Sequence, residues 1–459
     1  MKKIDLIFAV LLVCICYKTK AQNISSFEMA LSKAQTTQKP IWIFVQSKDC
    51  NMCNEVGLAG LMKDTEMKNM LEEKYVYYVS KGVPDALQTH TEAFYFPKKF
   101  FGMIILNDAG HITNVENGTK SEKGYYALIA KNLLDKPISE QNKLANLLLD
   151  YQNNKQFKQA YALLQGILQL SIEPTTDLLT NIITLAPEDS AKSFTFLQFI
   201  AKAAPKFQSP ASEYMYKDIT FFNKIWYQLP LQNRIAINGR IINKSIEEAI
   251  SDTNTAYAIQ VAQFARETFA PQREAGEKKF DELLIQYYFG IGDSTEFLKR
   301  ADRYYNHYYT NATIDSLHKL DSIYTANQQN KLLENIKNQL TKEQQQKGNF
   351  FIKRKFVLSP LSTQIANELN NGAWQVYKIT NNAFYLHKAL KWCEQSIKAA
   401  LTPENADTYA HILYQLGQKE AAITWEKTAI EEAKKIHIES LRFENTLYKI
   451  EKNEALIKE

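Results

Sequence analysis

The chain has 459 residues, 45% of them hydrophobic and 23% charged, with a formal net charge of +5. That length exceeds what one core holds, so more than one domain is expected, and the composition excludes a disordered or fibrous protein. Lys2, Lys3, Lys18, Lys20 and Asp5 all precede Gln22, so loss of that segment leaves +2, too little for nucleic acid as a bulk electrostatic partner.

Met1-Lys2-Lys3 is a basic start, and Leu6 to Cys16 is an apolar run too short to span a bilayer. Ala21-Gln22 offers a cleavage point. The segment 1–21 therefore reads as an export signal, with an uncleaved anchor as the alternative, and the expected location is periplasmic or secreted. No later stretch is apolar for long enough to cross a membrane, so no integral span is expected after cleavage. Of five cysteines, Cys14 and Cys16 leave with the signal. Cys50, Cys53 and Cys393 remain, which is one close pair and one single, not a disulfide scaffold.

Ser25-Ser26-Phe27-Glu28 reads as a helix cap, and Phe27, Ala30, Leu31 and Ala34 recur at helical spacing. Lys39-Pro40 ends that helix and launches an apolar strand, Ile41 to Val45. Gln46 to Cys53 follows, ending in Cys50-Asn51-Met52-Cys53 at the start of a helix carrying Val56, Leu58, Leu61 and Met62. Asp64 is placed to cap a further turn with Met67, Met70 and Leu71 inside. Tyr75 to Val79 is the next strand, and 82–95 is a connection containing a helix. Gly102 to Leu106, a turn at Asn107-Asp108-Ala109-Gly110, and His111 to Val115 form a hairpin. Gly124 to Leu134 closes the region as a helix. Asp135 to Ser139 is a linker, with Ser139 as a fresh helix cap.

A helix, a buried strand delivering Cys-x-x-Cys to a helix start, and then strand, helix, hairpin and helix form a pattern. From Ser25 to about Asp135 it resembles the thioredoxin-like superfamily, in particular its secreted branch. The resemblance implies a central mixed sheet flanked by helices over 22–136. It also implies that Cys50 attacks a client disulfide while Cys53 resolves the mixed disulfide. A helix N-terminus favours the thiolate; Lys48 would help it and Asp49 would oppose it. Three positions depart from the family. Asp49 stands where tryptophan is usual, and Phe44 replaces a buried acid. Counting back from Leu106 puts Phe101 in the slot of the cis-proline that faces the cysteines, while Pro97 lies four residues too early. A structural or vestigial disulfide on a binding scaffold is therefore the competing reading. Zinc normally takes four ligands and no second cysteine pair exists, so metal has little support at the cysteines. No cofactor motif is found: no Gly-rich phosphate loop, no His-Glu-x-x-His and no Gly-x-Ser-x-Gly.

Only eight of the fifteen glycines lie after residue 124, and the composition from 139 to 459 is helical. Leu144, Leu147, Leu148 and Tyr151 make one apolar stripe, and Phe157, Ala160, Tyr161, Leu164 and Leu168 another, so 140–170 reads as a helical hairpin. Over 370–435, Pro403, Ala410, Gly417, Ala422, Trp425, Ala429 and Ile430 resemble a tetratricopeptide repeat. The preceding unit offers Ala373, Ala389, Trp392 and Ile397. Trp392 to Trp425 and Ile397 to Ile430 are each 33 positions apart, close to that family's period of about 34. No period is assignable between 170 and 370. The resemblance implies an all-α repeat region that recruits a protein partner to the cysteines, with mere support of the first domain as the alternative. Cys393, beside Trp392, reads as a buried inert thiol. The aromatic run Arg303 to Tyr309, with His307, reads as packing between helices, and Lys353-Arg354-Lys355 as a solvated face.

Overall fold

The computed structural model describes residues 24–47, 51–89, 93–120, 122, 124–309, 314–339, 361–436, 438–456 and 458. Residues 1–21, read above as an export signal, and Lys353 to Lys355 lie outside them. The chain is 69% helical, with a mixed α/β region and a large helical part. It divides into two units, residues 1–241 and 242–459.

The six strands among the described residues all lie in the first unit: β1 (Ile41–Val45), β2 (Val76–Ser80), β3 (Phe94–Tyr95), β4 (Gly102–Leu106), β5 (Ile112–Asn117) and β6 (Glu173–Pro174). Ser26 accepts from the Met29 N–H and starts the helix Phe27–Thr37. Gln38, at φ 53°, ends it, and Pro40 leads into β1. The main sheet runs β2-β1-β4-β5. β1 is parallel to β2 and antiparallel to β4, and β4 is antiparallel to β5.

Every residue of β1 is buried because its alternate side chains enter two different cores. Ile41, Ile43 and Val45 join Phe27, Ala30, Ile104 and Leu106. Trp42 and Phe44 join Leu61, Met67, Met103, Tyr126 and Ala130 on the other face. On that face the Trp42 indole N–H donates to Met103 Sδ at 3.3 Å, and the Tyr75 hydroxyl donates to the Ala130 carbonyl at 2.9 Å. Asp64 caps the helix Thr65–Glu73 as expected, and its second oxygen accepts from the Gly124 N–H at 2.7 Å.

The first of these cores does not stop at the linker. Leu144, Tyr151, Leu163, Ile167, Leu178 and Phe196 belong to the same buried cluster as Ile43 and Ile104. β3 pairs antiparallel with β6, and the Thr175 N–H donates to the Ala93 carbonyl at 3.0 Å. The helices between residues 143 and 216 thus cover one side of the sheet. Ser139 is not a cap. It lies inside the short helix Ile138–Gln141, because the turn that starts it is already closed by Glu140 N–H donating to the Pro137 carbonyl.

Every regular element among the second unit's described residues is a helix. Thr402 and Asn405 form a capping box around Pro403 at the start of the helix Pro403–Gln415. Gly417, at φ 79°, makes the turn into the helix Lys419–Lys435. Ala410, Ala422, Ala429 and Trp392 are buried. The aromatic run packs between helices: Tyr305 lies 4.8 Å from the Trp392 ring, above Gly372, where a Cβ would come within 2.3 Å of Tyr305 Cζ.

Candidate redox site

β1 ends at Val45, and the helix Asn51–Met62 begins one residue after Cys50 in the chain. Cys53 lies in its first turn, is half-buried and is disulfide-bonded. Lys48, Asp49 and Cys50 fall outside the described residues. The first turn carries no acidic side chain, so none of its own residues offsets the positive end of the helix dipole.

Three contacts hold this turn. Asn54 clamps the chain leaving β1: its Oδ1 accepts from the Ser47 N–H at 2.7 Å, and its Nδ2 donates to the Ser47 carbonyl at 2.8 Å. The Thr119 hydroxyl donates to the Cys53 carbonyl at 2.9 Å. Phe44 lies beneath the helix, close enough that a Cβ on Gly57 would sit 2.8 Å from its ring. The close helix–strand approach therefore requires glycine at 57. The apolar Phe44 ring supplies no proton acceptor beneath the helix.

Phe101, half-buried, precedes β4, and its carbonyl accepts from the Gly118 N–H at 2.9 Å. Gly118 is followed by Thr119, so residue 101 is joined through one strand end to the Cys53 turn. Gly102 has φ 138°, and a Cβ there would be 2.1 Å from the Glu116 carbonyl. The Pro97 carbonyl accepts from the Phe100 N–H in a separate turn. The structure thus brings Cys53 and the Phe101 backbone into one network.

Sequence reasoning missed Asn54 and Thr119. Asn54 directly follows the second cysteine, but an amide able to close back on residue 47 has no local signature. Cys393 is fully buried, and burial pushes its thiol up, as expected of an inert residue. No helix among the described residues is long and apolar enough to cross a membrane. The sequence matches no protein-family model and no curated protein at a significant level.

Proposed function

We propose that the chain is an exported thiol–disulfide oxidoreductase of the thioredoxin-like superfamily, acting on protein disulfides through Cys50 and Cys53. One observation carries the reading. A disulfide-bonded cysteine sits in the first turn of the helix that follows β1, in a sheet ordered β2-β1-β4-β5. A mixed sheet with helices around it is compatible with the superfamily resemblance.

In the reducing direction the Cys50 thiolate attacks one sulfur of a client disulfide, and the other client sulfur leaves as a thiolate. Cys53, deprotonated, then attacks the Cys50 sulfur and releases the second client thiolate. Two electrons pass to the client, and the protein is left as a disulfide. The same steps in reverse oxidise a client dithiol. Phe44, being apolar, offers no proton acceptor to these steps.

The helices of 143–216 that share the sheet core support the first region in this reading. Client recruitment belongs to the helices beyond them, where Ile219, Tyr227, Leu231 and Ile235 are exposed. Phe101 in the proline slot favours a second reading, a binding scaffold with a structural disulfide. A Cys53→Ser variant separates the two. It should accumulate mixed disulfides with exported proteins through Cys50, and these should release on reduction. If it captures nothing and the parent neither reduces nor oxidises a model disulfide, the scaffold reading holds.

A further inference from the structure

A second set of polar side chains meets in the 242–459 unit. The helix Pro403–Gln415 carries Asp407 and His411 four residues apart, which stacks them on one face. Glu426 comes from the helix Lys419–Lys435 that packs against it. Taking one ligand atom from each residue, these atoms all lie within 4.8 Å of one another. His411 Nδ1 is 2.9 Å from the Asp407 carbonyl oxygen and 3.3 Å from Asp407 Oδ1.

Glu426 is the unusual member. It is 0% exposed, and neither of its carboxylate oxygens has a hydrogen-bond partner. A buried carboxylate in that condition is strongly unfavourable unless something supplies positive charge or a proton. Arg442 is close enough to act on both carboxylates, but its Nη2 already donates to Glu404 Oε1 at 2.7 Å. Glu426 therefore lies buried against a second carboxylate, Asp407, and the His411 ring, with no donor on either of its oxygens. Apolar walls enclose them. Trp374 and Tyr377 stand edge-on to His411 at 5.2 and 5.4 Å, and Ala406, Ala410, Ala422 and Ala429 are fully buried.

We propose that Asp407, His411 and Glu426 bind a single divalent transition metal, with zinc the best-fitting ion. One imidazole nitrogen and two carboxylate oxygens are donors that zinc accepts, and a dication binding there displaces any proton they hold and balances the two carboxylates. A residue pair at helical spacing joined by a carboxylate from a facing helix is how helical bundles build metal sites. Metal–ligand bonds of about 2.0–2.2 Å draw the donors somewhat closer than they lie here, within reach of side-chain rotation. A fourth position falls to water or to the second Glu426 oxygen. The enclosed setting makes the site structural: it ties the two helices of the last clear repeat together.

The test uses the full-length chain without a histidine tag, stripped with a chelator and dialysed against dilute zinc chloride. One zinc per chain is expected by elemental mass spectrometry. The Cys50→Ser/Cys53→Ser double variant should retain it, which separates this site from zinc held by reduced cysteines. Glu426→Gln, which keeps the side-chain shape, should bind zinc at least ~100-fold more weakly with an unchanged circular dichroism spectrum. His411→Ala should do the same; if it fails to fold, Glu426→Gln decides alone. A parent chain that takes up no zinc, or a Glu426→Gln variant that binds it undiminished, overturns the proposal. In the first case, a protonated-carboxyl stretch in the infrared that disappears in Glu426→Gln would identify a proton-sharing carboxyl pair in its place.

Discussion

Replacing Asn54 by alanine removes both halves of the clamp on Ser47, the 2.7 Å bond from its N–H and the 2.8 Å bond to its carbonyl. Each is a neutral bond in a half-buried setting, contributing about 0.5–1.5 kcal/mol. Water recovers part of the loss, so Asn54→Ala should cost the local structure about 1–2 kcal/mol. The direct assay is amide hydrogen exchange over 46–62. Loss of that much local stability should speed exchange there by about 5- to 30-fold, with no change in the 242–459 unit. Asn54→Asp sharpens the test. It keeps an acceptor for the Ser47 N–H but turns an oxygen toward the Ser47 carbonyl, so it should rescue little. Exchange in Asn54→Ala within twofold of the parent would refute the idea that this amide holds the cysteine turn.

Three further outcomes are expected. Gly57→Ala places a methyl 2.7 Å from Thr119 Cγ2 and 2.8 Å from the Phe44 ring. The overpacking, about 1–3 kcal/mol, should outweigh the helix-propensity gain of about 1 kcal/mol, so the urea midpoint falls; a raised midpoint would contradict it. In the reduced native chain a thiol reagent should label Cys50 and Cys53 but reach Cys393 only after denaturation, because Cys393 is fully buried; mass spectrometry of labelled peptides checks this. Burial pulls the Lys244 ammonium down to about 7 in the folded chain, below the unfolded value of about 10.4. The unfolded chain therefore holds the extra proton between those values, and stability rises with pH. From pH 7 to 9 the gain is about 2 kcal/mol in chemical unfolding, and Lys244→Met should flatten it; an unchanged slope would remove Lys244 as its source.

The parts legible in the sequence were those coded locally. Ile41 to Val45 announced itself as a buried strand because all five residues are apolar and Pro40 precedes them. Asp64 stood one step before a helical stripe, and it caps that helix. What stayed hidden depends on partners distant in the chain. The β3–β6 ladder joins two residues near 94 to two near 173, too short for either strand to show a period. The helices covering the sheet showed an apolar stripe, but nothing in the stripe names the surface it meets. Between 170 and 370 no repeat period was readable, and the helices there run from 4 to 26 residues. Asp407 and His411 stand four residues apart on one helix, a spacing too common to mark a site. Their significance arises only when the neighbouring helix brings Glu426 to them, which no local pattern encodes.

The most direct measurement is the equilibrium potential of the Cys50–Cys53 pair, taken by equilibrating the full-length chain in glutathione buffers, trapping with a thiol alkylator and reading mass. A pair that exchanges with clients should open and close between about −270 and −120 mV. A disulfide that stays closed below about −300 mV, where structural bridges lie, would contradict the oxidoreductase reading and leave the bridge as part of the scaffold.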